Sequence, residues 1–248
     1  MRITYVSKQG QHHNESQDCI LINNQVINNS AGAFNDNITN ICIADGVGGV
    51  PGGYEASSYL LHHFKVPEYV GDEVALRDYL LSLNRELIAY AAKIDEKKAM
   101  ASTFTGLVVI GHSLYVMHAG NTRLYACIGG RLKQITTDHT NYQALISDGI
   151  DEVDAAMGGR NVIYCCFGTG REEYLKSLEV FKLELDTAPE YLILTTDGIH
   201  DYIEEQQFET ILNDNLDDRN KILELVKAAT LNGSDDDKTV AIIRRKLI

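Results

Sequence analysis

The chain has 248 residues, of which 44% are hydrophobic and 23% are charged, a composition typical of globular proteins. Its formal net charge of −13 argues against a nucleic-acid partner, because a nucleic-acid surface needs clustered basic residues. No apolar run reaches about 18 residues, so we expect no membrane span, and the N-terminal residues lack the apolar core of a secretory signal. Five cysteines without a Cys-x-x-Cys pair favour reduced thiols and a cytoplasmic location.

Apolar runs of strand length and helical patterns follow one another along the chain. The predicted strands are Arg2–Ser7, Cys19–Ile22, Asn40–Ala44, Thr105–Ile110, Leu114–Ala119, Arg123–Ile128, Val162–Cys166, Leu178–Leu183, Tyr191–Thr195 and Thr239–Arg244. The predicted helices are Glu55–Phe64, Asp72–Lys93, Glu204–Asn213 and Asp218–Ala229. The Asn-rich stretch from Asn23 to Asn40 is interpreted as an exposed hairpin connection, and Asp201 as a helix cap.

Tight turns such as Gly129-Gly130 connect several of the predicted strands, which favours antiparallel hairpins. Strands in hairpins and helices in pairs indicate a layered α+β fold, in contrast to a doubly wound parallel sheet. The sequence shows no internal repeat and no long linker. We therefore expect residues 1–248 to form a single domain.

Three aspartates lie in turns next to predicted strands: Asp45 in ADGVGG, Asp197 in TTDGIHD and Asp236 in DDKTV. Each turn by itself is explained by an ordinary turn, a helix cap or a solvated acidic loop. Together, however, strand-end carboxylates suit a site for hard divalent cations, and the carbonyl of Gly46 offers a further oxygen ligand. The adjacent carboxylates of residues 235–237 would repel one another unless a cation or solvent relieved them.

The chemistry expected of such a site is hydrolysis with two metal ions. Two hard cations about 3.5–4 Å apart need at least one bridging carboxylate, and they activate a water and stabilise the oxygens of a transferring phosphoryl group. The sequence contains no Gly-x-Ser-x-Gly nucleophile motif. It also lacks a Gly-x4-Gly-Lys-Ser/Thr phosphate loop, which argues against a nucleotide hydrolase of that class.

Seven short motifs occur in an order that extends over nearly the whole chain. They are Gln17-Asp18, ADGVGG followed by Gly53-Tyr54-Glu55-Ala56-Ser57, Ser102-Thr103-Phe104-Thr105, Gly120-Asn121-Thr122-Arg123, Thr137-Asp138-His139-Thr140, Leu194–Asp201 and Asp236-Asp237-Lys238-Thr239. This series resembles the metal-dependent serine/threonine protein phosphatases of type 2C. The resemblance implies a four-layer α-β-β-α sandwich, in which helix pairs flank two antiparallel sheets and a binuclear metal site lies at one end of the sheets.

The resemblance also implies roles for individual residues. Asp45 would bridge two cations, and the Gly46 carbonyl would complete one of the two sites. Asp197 and Asp236 would bind the other cation, while Asp18 would hold water close by. The cations would be two Mn²⁺ or Mg²⁺ ions, since oxygen ligands suit both. Asp45, Asp197 and Asp236 are thus the predicted catalytic residues, and the attacking species would be the water between the metals.

Three positions depart from the family pattern. The phosphate-binding arginine of the family falls on His13, which is only partly charged at neutral pH and lacks a bidentate fork; Lys8 is an alternative phosphate ligand. The aspartate associated with a third metal falls on Asn121, a neutral side chain that would bind a cation poorly. Val47 stands where many eukaryotic members carry a histidine that is proposed as a general acid.

The resemblance implies an enzyme that removes phosphate from phosphorylated Ser/Thr proteins and opposes a Ser/Thr kinase, without a nucleic-acid or membrane partner. The alternative is a phosphatase-like regulatory or binding module with weak or no turnover, which His13 and Asn121 favour. A third interpretation keeps the enzyme but changes the substrate to a regulator of the anti-sigma type. The acidic segment from His139 to Arg160 corresponds to the flap of the family; it either attracts basic phosphopeptides or is a solvated surface.

Overall fold

The computed structural model describes residues 1–11, 14–35, 37–48, 52–94 and 100–244. Within these ranges the strands are β1 Arg2–Lys8, β2 Asp18–Ile22, β3 Gln25–Ile27, β4 Ala31–Phe34, β5 Asn40–Asp45, β6 Ala101–Ser102, β7 Phe104–Ile110, β8 Ser113–Ala119, β9 Arg123–Ile128, β10 Arg131–Gln134, β11 Phe167–Gly168, β12 Glu179–Lys182, β13 Tyr191–Thr195 and β14 Lys238–Arg244. The α-helices are α1 Gly53–His63, α2 Glu73–Ile94, α3 Asn141–Ser147, α4 Glu152–Met157, α5 Asp197–His200, α6 Glu205–Asn213 and α7 Asp218–Leu231, and a short 3₁₀ helix covers Glu172–Leu175.

Two six-stranded sheets form the centre of the molecule. The first has the strand order β10-β9-β13-β14-β1-β4, and the second has the order β12-β8-β7-β5-β2-β3. All the neighbouring pairs are antiparallel. A two-stranded sheet of β6 and β11 lies beside them. Since β13 and β14 run in opposite directions, the last residue of β13 and the first residues of β14 lie at the same end of the first sheet.

Three apolar clusters show how the layers stack. Ile41 and Ile43 of β5 face the other sheet, whereas Cys42 and Ala44 on the opposite face of the same strand pack under α1 and α2. Ile193 of β13 likewise packs against α6 and α7. This alternation is the period-2 pattern of a strand that is buried on both faces. The fold is therefore the predicted α-β-β-α sandwich of two antiparallel sheets between helix layers.

The strand and helix predictions agree with the structure to within about two residues, apart from two stretches. Val162–Cys166 is not a strand, because only Ile163 makes an isolated bridge, to Thr140. The stretch Asn23–Asn40 is more than a hairpin connection, because it contains β3 and β4, which join different sheets. Both strands lie at sheet edges, where one flank lacks a neighbouring strand and the apolar pattern is weak.

Two further expectations concern cysteines and membranes. The five cysteines are free and buried, as their apolar surroundings in the sequence predict. Among the described helices, none combines the length and the apolar character needed to cross a bilayer.

Candidate metal centre

The predicted carboxylates converge at one end of the two sheets, where their strands begin or finish. Asp45 ends β5, and its antiparallel partner Asp18 begins β2. Asp197 begins α5 directly after β13, and Asp236 precedes the first residue of β14. The side chains of Asp45 and Asp197 are half-buried and that of Asp18 is buried. Four carboxylates thus come from neighbouring strand ends. The pattern of strand-end aspartates predicts three of them, Asp45, Asp197 and Asp236, and the resemblance to the phosphatases adds Asp18.

A cleft of about 330 Å³ opens at this end of the sheets. Its lining consists of Gln17, Asp45, Gly46, Val47, Gly48, Thr103, Asn121, Asn161, Ile163, Asp197 and Asp236. None of these described lining residues is basic, so no side chain of the lining neutralises the carboxylates. A larger cavity of about 460 Å³ begins near Tyr191, at the opposite end of β13, and its lining contains no aspartate. Because the larger cavity pairs its acidic residue Glu184 with Lys182, the candidate metal centre is distinguished by carboxylates without a basic residue in its described lining, and not by volume.

Asp18 lies behind the cleft and has only 1% of its surface exposed. The hydroxyl of Thr196 donates a hydrogen bond to Asp18 Oδ2 at 2.8 Å. Asp18 Oδ1 is buried and makes no hydrogen bond of normal geometry to the described residues, although the Thr239 side chain lies near enough to lower the pKa of Asp18. Because an unpaired buried carboxylate oxygen is costly, a water or cation in the cleft would relieve it. No local pattern marks Thr196 as a partner of Asp18, although Thr196 stands directly before Asp197 in the TTDG motif.

The charges of the site raise one another's pKa values. Burial raises the pKa of Asp45, and the nearby Asp18 and Asp197 carboxylates raise it further. Burial, and then the charge of Asp237, likewise raises the pKa of Asp18. Burial with Asp201 and Asp236 raises the pKa of Asp197 to about 7, although hydrogen bonds from Asn121 and Asp45 oppose this shift. A group of carboxylates whose pKa values are all raised is expected where a bound cation would stabilise their ionised forms.

Two glycines permit the close packing around the cleft. A Cβ atom on Gly46 would overlap the main chain of Gly53 at the start of α1. A Cβ atom on Gly198 would overlap the carbonyl oxygen of Asp237. Both positions therefore exclude larger residues. In this way the ADG and TDG motifs allow the start of α1 and the residue before β14 to approach the turns that carry Asp45 and Asp197.

The three adjacent carboxylates of residues 235–237 would be expected to repel one another. Asp237, however, is not part of the cleft lining, and main-chain groups stabilise its charge. Its Oδ1 accepts a hydrogen bond from the main-chain N–H of Gly10 at 2.7 Å, and its Oδ2 accepts one from the N–H of Gln17 at 2.6 Å. These N–H groups stabilise its negative charge. Asp237 thereby fixes the beginning and the end of the N-terminal loop that precedes Asp18.

The remaining predicted positions divide into three cases. Asn121 lines the cleft, and its amide donates to Asp197 Oδ2 at 2.9 Å. Val47 also lines the cleft, as its place after the first Asp-Gly predicts. His13 lies outside the described residues. Asp201 is not the cap of the next helix, because it ends α5 and Glu204 precedes α6.

A second group of ligand-type residues, His118, His139 and Glu179, lies apart from the carboxylates, with candidate ligand atoms within 4.8 Å of one another. His118 Nε2 bonds the Thr137 carbonyl at 2.9 Å, and His118 Nδ1 bonds the Thr105 hydroxyl at 2.8 Å. Both nitrogens of this ring are therefore occupied by protein partners. A hydrogen-bonded core cluster accounts for these residues without a metal.

The comparisons with known proteins agree with this geometry. None of the protein-family models compared with the sequence matches it. A serine/threonine phosphatase stp of Listeria welshimeri is 24% identical over 96% of this chain and 92% of its own length. A putative protein phosphatase 2C-type of Streptococcus pyogenes is 26% identical over 99% of this chain and 98% of its own. Over nearly its whole length, the chain is therefore similar to proteins named as Ser/Thr and type 2C phosphatases.

Solved structures of serine/threonine phosphatases share the fold. The serine/threonine phosphatase Stp1 of Staphylococcus aureus superposes with a TM-score of 0.80 at 23% identity, over 98% of this chain and 94% of that one. The Mycobacterium tuberculosis phosphatase PstP/Ppp gives a TM-score of 0.75 at 22% identity, over 98% and 99% of the two chains. The similarity of fold thus extends over 98% of this chain.

Proposed function

We propose that this chain is a metal-dependent protein serine/threonine phosphatase that hydrolyses phosphoserine and phosphothreonine. The observation that supports the proposal most directly is the convergence of Asp45, Asp197 and Asp236 in a cleft whose described lining contains no basic residue. The full-length relatives that are named as Ser/Thr phosphatases support the same reaction. The alternative of a regulatory module without turnover is not supported by these relatives.

We assign the metal ligands as the resemblance implies them: Asp45 and Gly46 on one side, Asp197 and Asp236 on the other, with Asp18 behind. The donor set consists of oxygens, which suits Mn²⁺ or Mg²⁺. When bound, two such ions would supply a nucleophilic water at neutral pH and stabilise the charge of the transferring phosphoryl group. The unpaired Asp18 Oδ1 and the raised pKa values of the carboxylates are the features that fit this occupancy.

The protein itself contributes orientation. Thr196 fixes Asp18 through the 2.8 Å hydrogen bond to Oδ2. Thr103 holds the end of β5, because its hydroxyl accepts a hydrogen bond from the Asp45 N–H at 3.0 Å. Rigid support of this kind keeps charged ligands at fixed positions before a substrate arrives. Val47 cannot transfer a proton, so protonation of the leaving oxygen falls to solvent or to another group.

The acidic segment before Arg160 suits basic phosphopeptides. Asp148, Asp151, Glu152 and Asp154 are exposed or at helix ends, and Asn161 beyond them lines the cleft. We propose that the partners are phosphorylated proteins, including substrates of a Ser/Thr kinase. We also propose a cytoplasmic location, and that residues 1–248 form one catalytic domain. The acidity of the chain disfavours nucleic acid as a partner.

The test is hydrolysis of a phosphothreonine peptide and of p-nitrophenyl phosphate, with and without Mn²⁺. We expect turnover that depends on Mn²⁺, disappears with EDTA, and falls on the order of 10³-fold in Asp45→Asn or Asp197→Asn, because about 4 kcal/mol of transition-state stabilisation would be lost. Asp186→Asn, which changes an exposed carboxylate outside both the cleft and the acidic segment, is the matched control. No turnover by the wild-type protein at saturating Mn²⁺ would favour the regulatory module.

A further inference from the structure

The neutral side chain of Asn121 contacts Asp197, one of the proposed metal ligands, directly. Its Nδ2 donates to Asp197 Oδ2 at 2.9 Å, and only 3% of the residue is exposed. Its Oδ1 is buried without a partner among the described residues. The orientation of the amide follows from this contact, because a carboxylate oxygen accepts a hydrogen bond only from the NH₂ group.

The main chain around Asn121 is fixed by buried residues. Gly120 and His139 form two hydrogen bonds: the Gly120 N–H donates to His139 Nδ1 at 3.2 Å, and the His139 N–H donates to the Gly120 carbonyl at 2.8 Å. On the other side, the hydroxyl of Thr122 lies 2.6 Å from that of Thr105, which bonds His118. Side chains held in this way keep a neighbouring group at a defined position. The loop therefore presents the Asn121 amide to Asp197 in one place.

We propose that the Asn121 amide takes the place of a third cation, so that the chain holds two divalent ions and Asn121 acts as a positioning residue for Asp197. This inference rests on the proposed function. An aspartate at position 121 would set a second carboxylate against Asp197 at hydrogen-bond distance, and two such carboxylates need a proton or a cation between them. The amide stabilises the Asp197 charge without either.

The site is already rich in negative charge. Besides Asp18, Asp45, Asp197 and Asp236, the carboxylates of Asp201 and Asp237 lie close enough to raise the pKa values of Asp197 and Asp18. A further carboxylate at position 121 would add an excess negative charge beside the phosphate dianion of a substrate. The neutral amide avoids that excess while still donating to Asp197, which no carboxylate that is ionised can do.

The test compares Asn121→Asp and Asn121→Ala with the wild-type protein, each purified in Mn²⁺. Bound Mn²⁺ per chain is measured by calorimetric titration of EDTA-treated protein and by metal analysis after dialysis. We expect two ions for the wild type and three for Asn121→Asp. For Asn121→Ala we expect two ions with about tenfold weaker affinity at one site, because a hydrogen bond to a charged group is lost, and a tenfold lower kcat with KM within about twofold.

Asn215→Asp adds the same charge at an exposed position and should bind two ions like the wild type. Three ions in the wild type, or two in Asn121→Asp, would overturn the inference while leaving the phosphatase proposal intact. Unchanged affinity and kcat in Asn121→Ala would remove the positioning role. A wild-type protein that binds no Mn²⁺ would instead overturn the proposed function itself. If Asn121→Asp fails to fold, the inference is tested by the number of Mn²⁺ ions bound to the wild-type protein and by the affinity and kcat of Asn121→Ala.

Discussion

Two groups of ligand-type side chains lie on opposite sides of the loop at residues 120–122. The carboxylate cluster, Asp18, Asp45, Asp197 and Asp236, contacts the loop through Asn121. The histidine cluster, His118, His139 and Glu179, contacts it through Gly120 and Thr122. Both clusters contain residue types that bind metals, so residue type alone does not separate them.

Their hydrogen bonds do separate them. Both ring nitrogens of His118 have protein partners, and His139 stacks on His118 with 4.6 Å between the ring centroids. In the carboxylate cluster, by contrast, Asp18 Oδ1 makes no hydrogen bond of normal geometry to the described residues, and burial with like charges raises the pKa of Asp45. The comparison teaches that unsatisfied charge, and not the presence of ligand-type residues, distinguishes the proposed metal centre from the histidine cluster.

The largest expected effect is stabilisation of the carboxylate cluster by metal. Ions at about 100 times their dissociation constant contribute about 2.7 kcal/mol per site, so two sites should raise the melting temperature by roughly 10–20 °C in a chain of this size. Without metal, the raised pKa of Asp197, about 7, means that its contribution to stability is present below the unfolded value of about 3.9 and is lost as the pH rises towards 7. The Mn²⁺ effect should therefore be larger at pH 8 than at pH 5.5, measured by thermal unfolding with Mn²⁺ or EDTA.

Asp45→Asn provides the control for that measurement. In EDTA at pH 8 it should unfold at a higher temperature than the wild type, because it removes one of the mutually repelling buried charges. With Mn²⁺ it should gain less than the wild type, since a ligand is lost. Equal Mn²⁺ shifts in both proteins would place the metal away from the carboxylate cluster.

The sequence predicts the carboxylate cluster better than the histidine cluster for a physical reason. Asp45 and Asp197 follow strands that are buried on both faces, and their glycines mark the turns, so local pattern and chemistry coincide. The histidine cluster joins β8, the loop after β10, and β12. Such contacts depend on strand order within a sheet, which period and propensity do not specify.

The strands β3 and β4 are not predicted from the sequence, for a related reason. β3 and β4 are short edge strands in a polar stretch, so their half-exposed residues carry little period-2 signal. Asn121 lies between β8 and β9, and its sequence motif shows that this position departs from the family pattern. Its contact with Asp197, 76 residues away, could not be predicted, because it forms only when the two sheets assemble. The role of Thr196 in holding Asp18 depends equally on two strands that belong to different sheets.

A smaller effect is expected from His118, whose burial, with the nearby His139, lowers its pKa to about 4. Its contribution to stability is present above the unfolded pKa of about 6.5 and is lost as the pH falls towards 4, at most about 3 kcal/mol. His118→Gln should be less stable than the wild type at pH 7.5, and the difference should shrink at pH 4.5. Urea unfolding at both pH values tests this.

His112→Gln, at an exposed position on the turn before β8, controls for the loss of a histidine. Its stability difference from the wild type should stay within about 0.5 kcal/mol at both pH values. Because each comparison is made against the wild type at the same pH, the contribution of the carboxylate cluster cancels. A constant difference for His118→Gln across this range would show that His118 titrates alike in the folded and unfolded chains.

The smallest effect is expected for Glu179→Gln. The carboxylate of Glu179 lies 3.8 Å from His139 Nε2, and 39% of its side chain is exposed, so solvent screens the pair and its loss should cost less than about 1 kcal/mol. Since the histidine cluster is satisfied by the protein, Glu179→Gln should leave the number and affinity of bound Mn²⁺ ions unchanged in the same titration that is used for Asn121. A loss of one ion would make this cluster a metal site after all, and partner satisfaction would then no longer separate the two groups of residues.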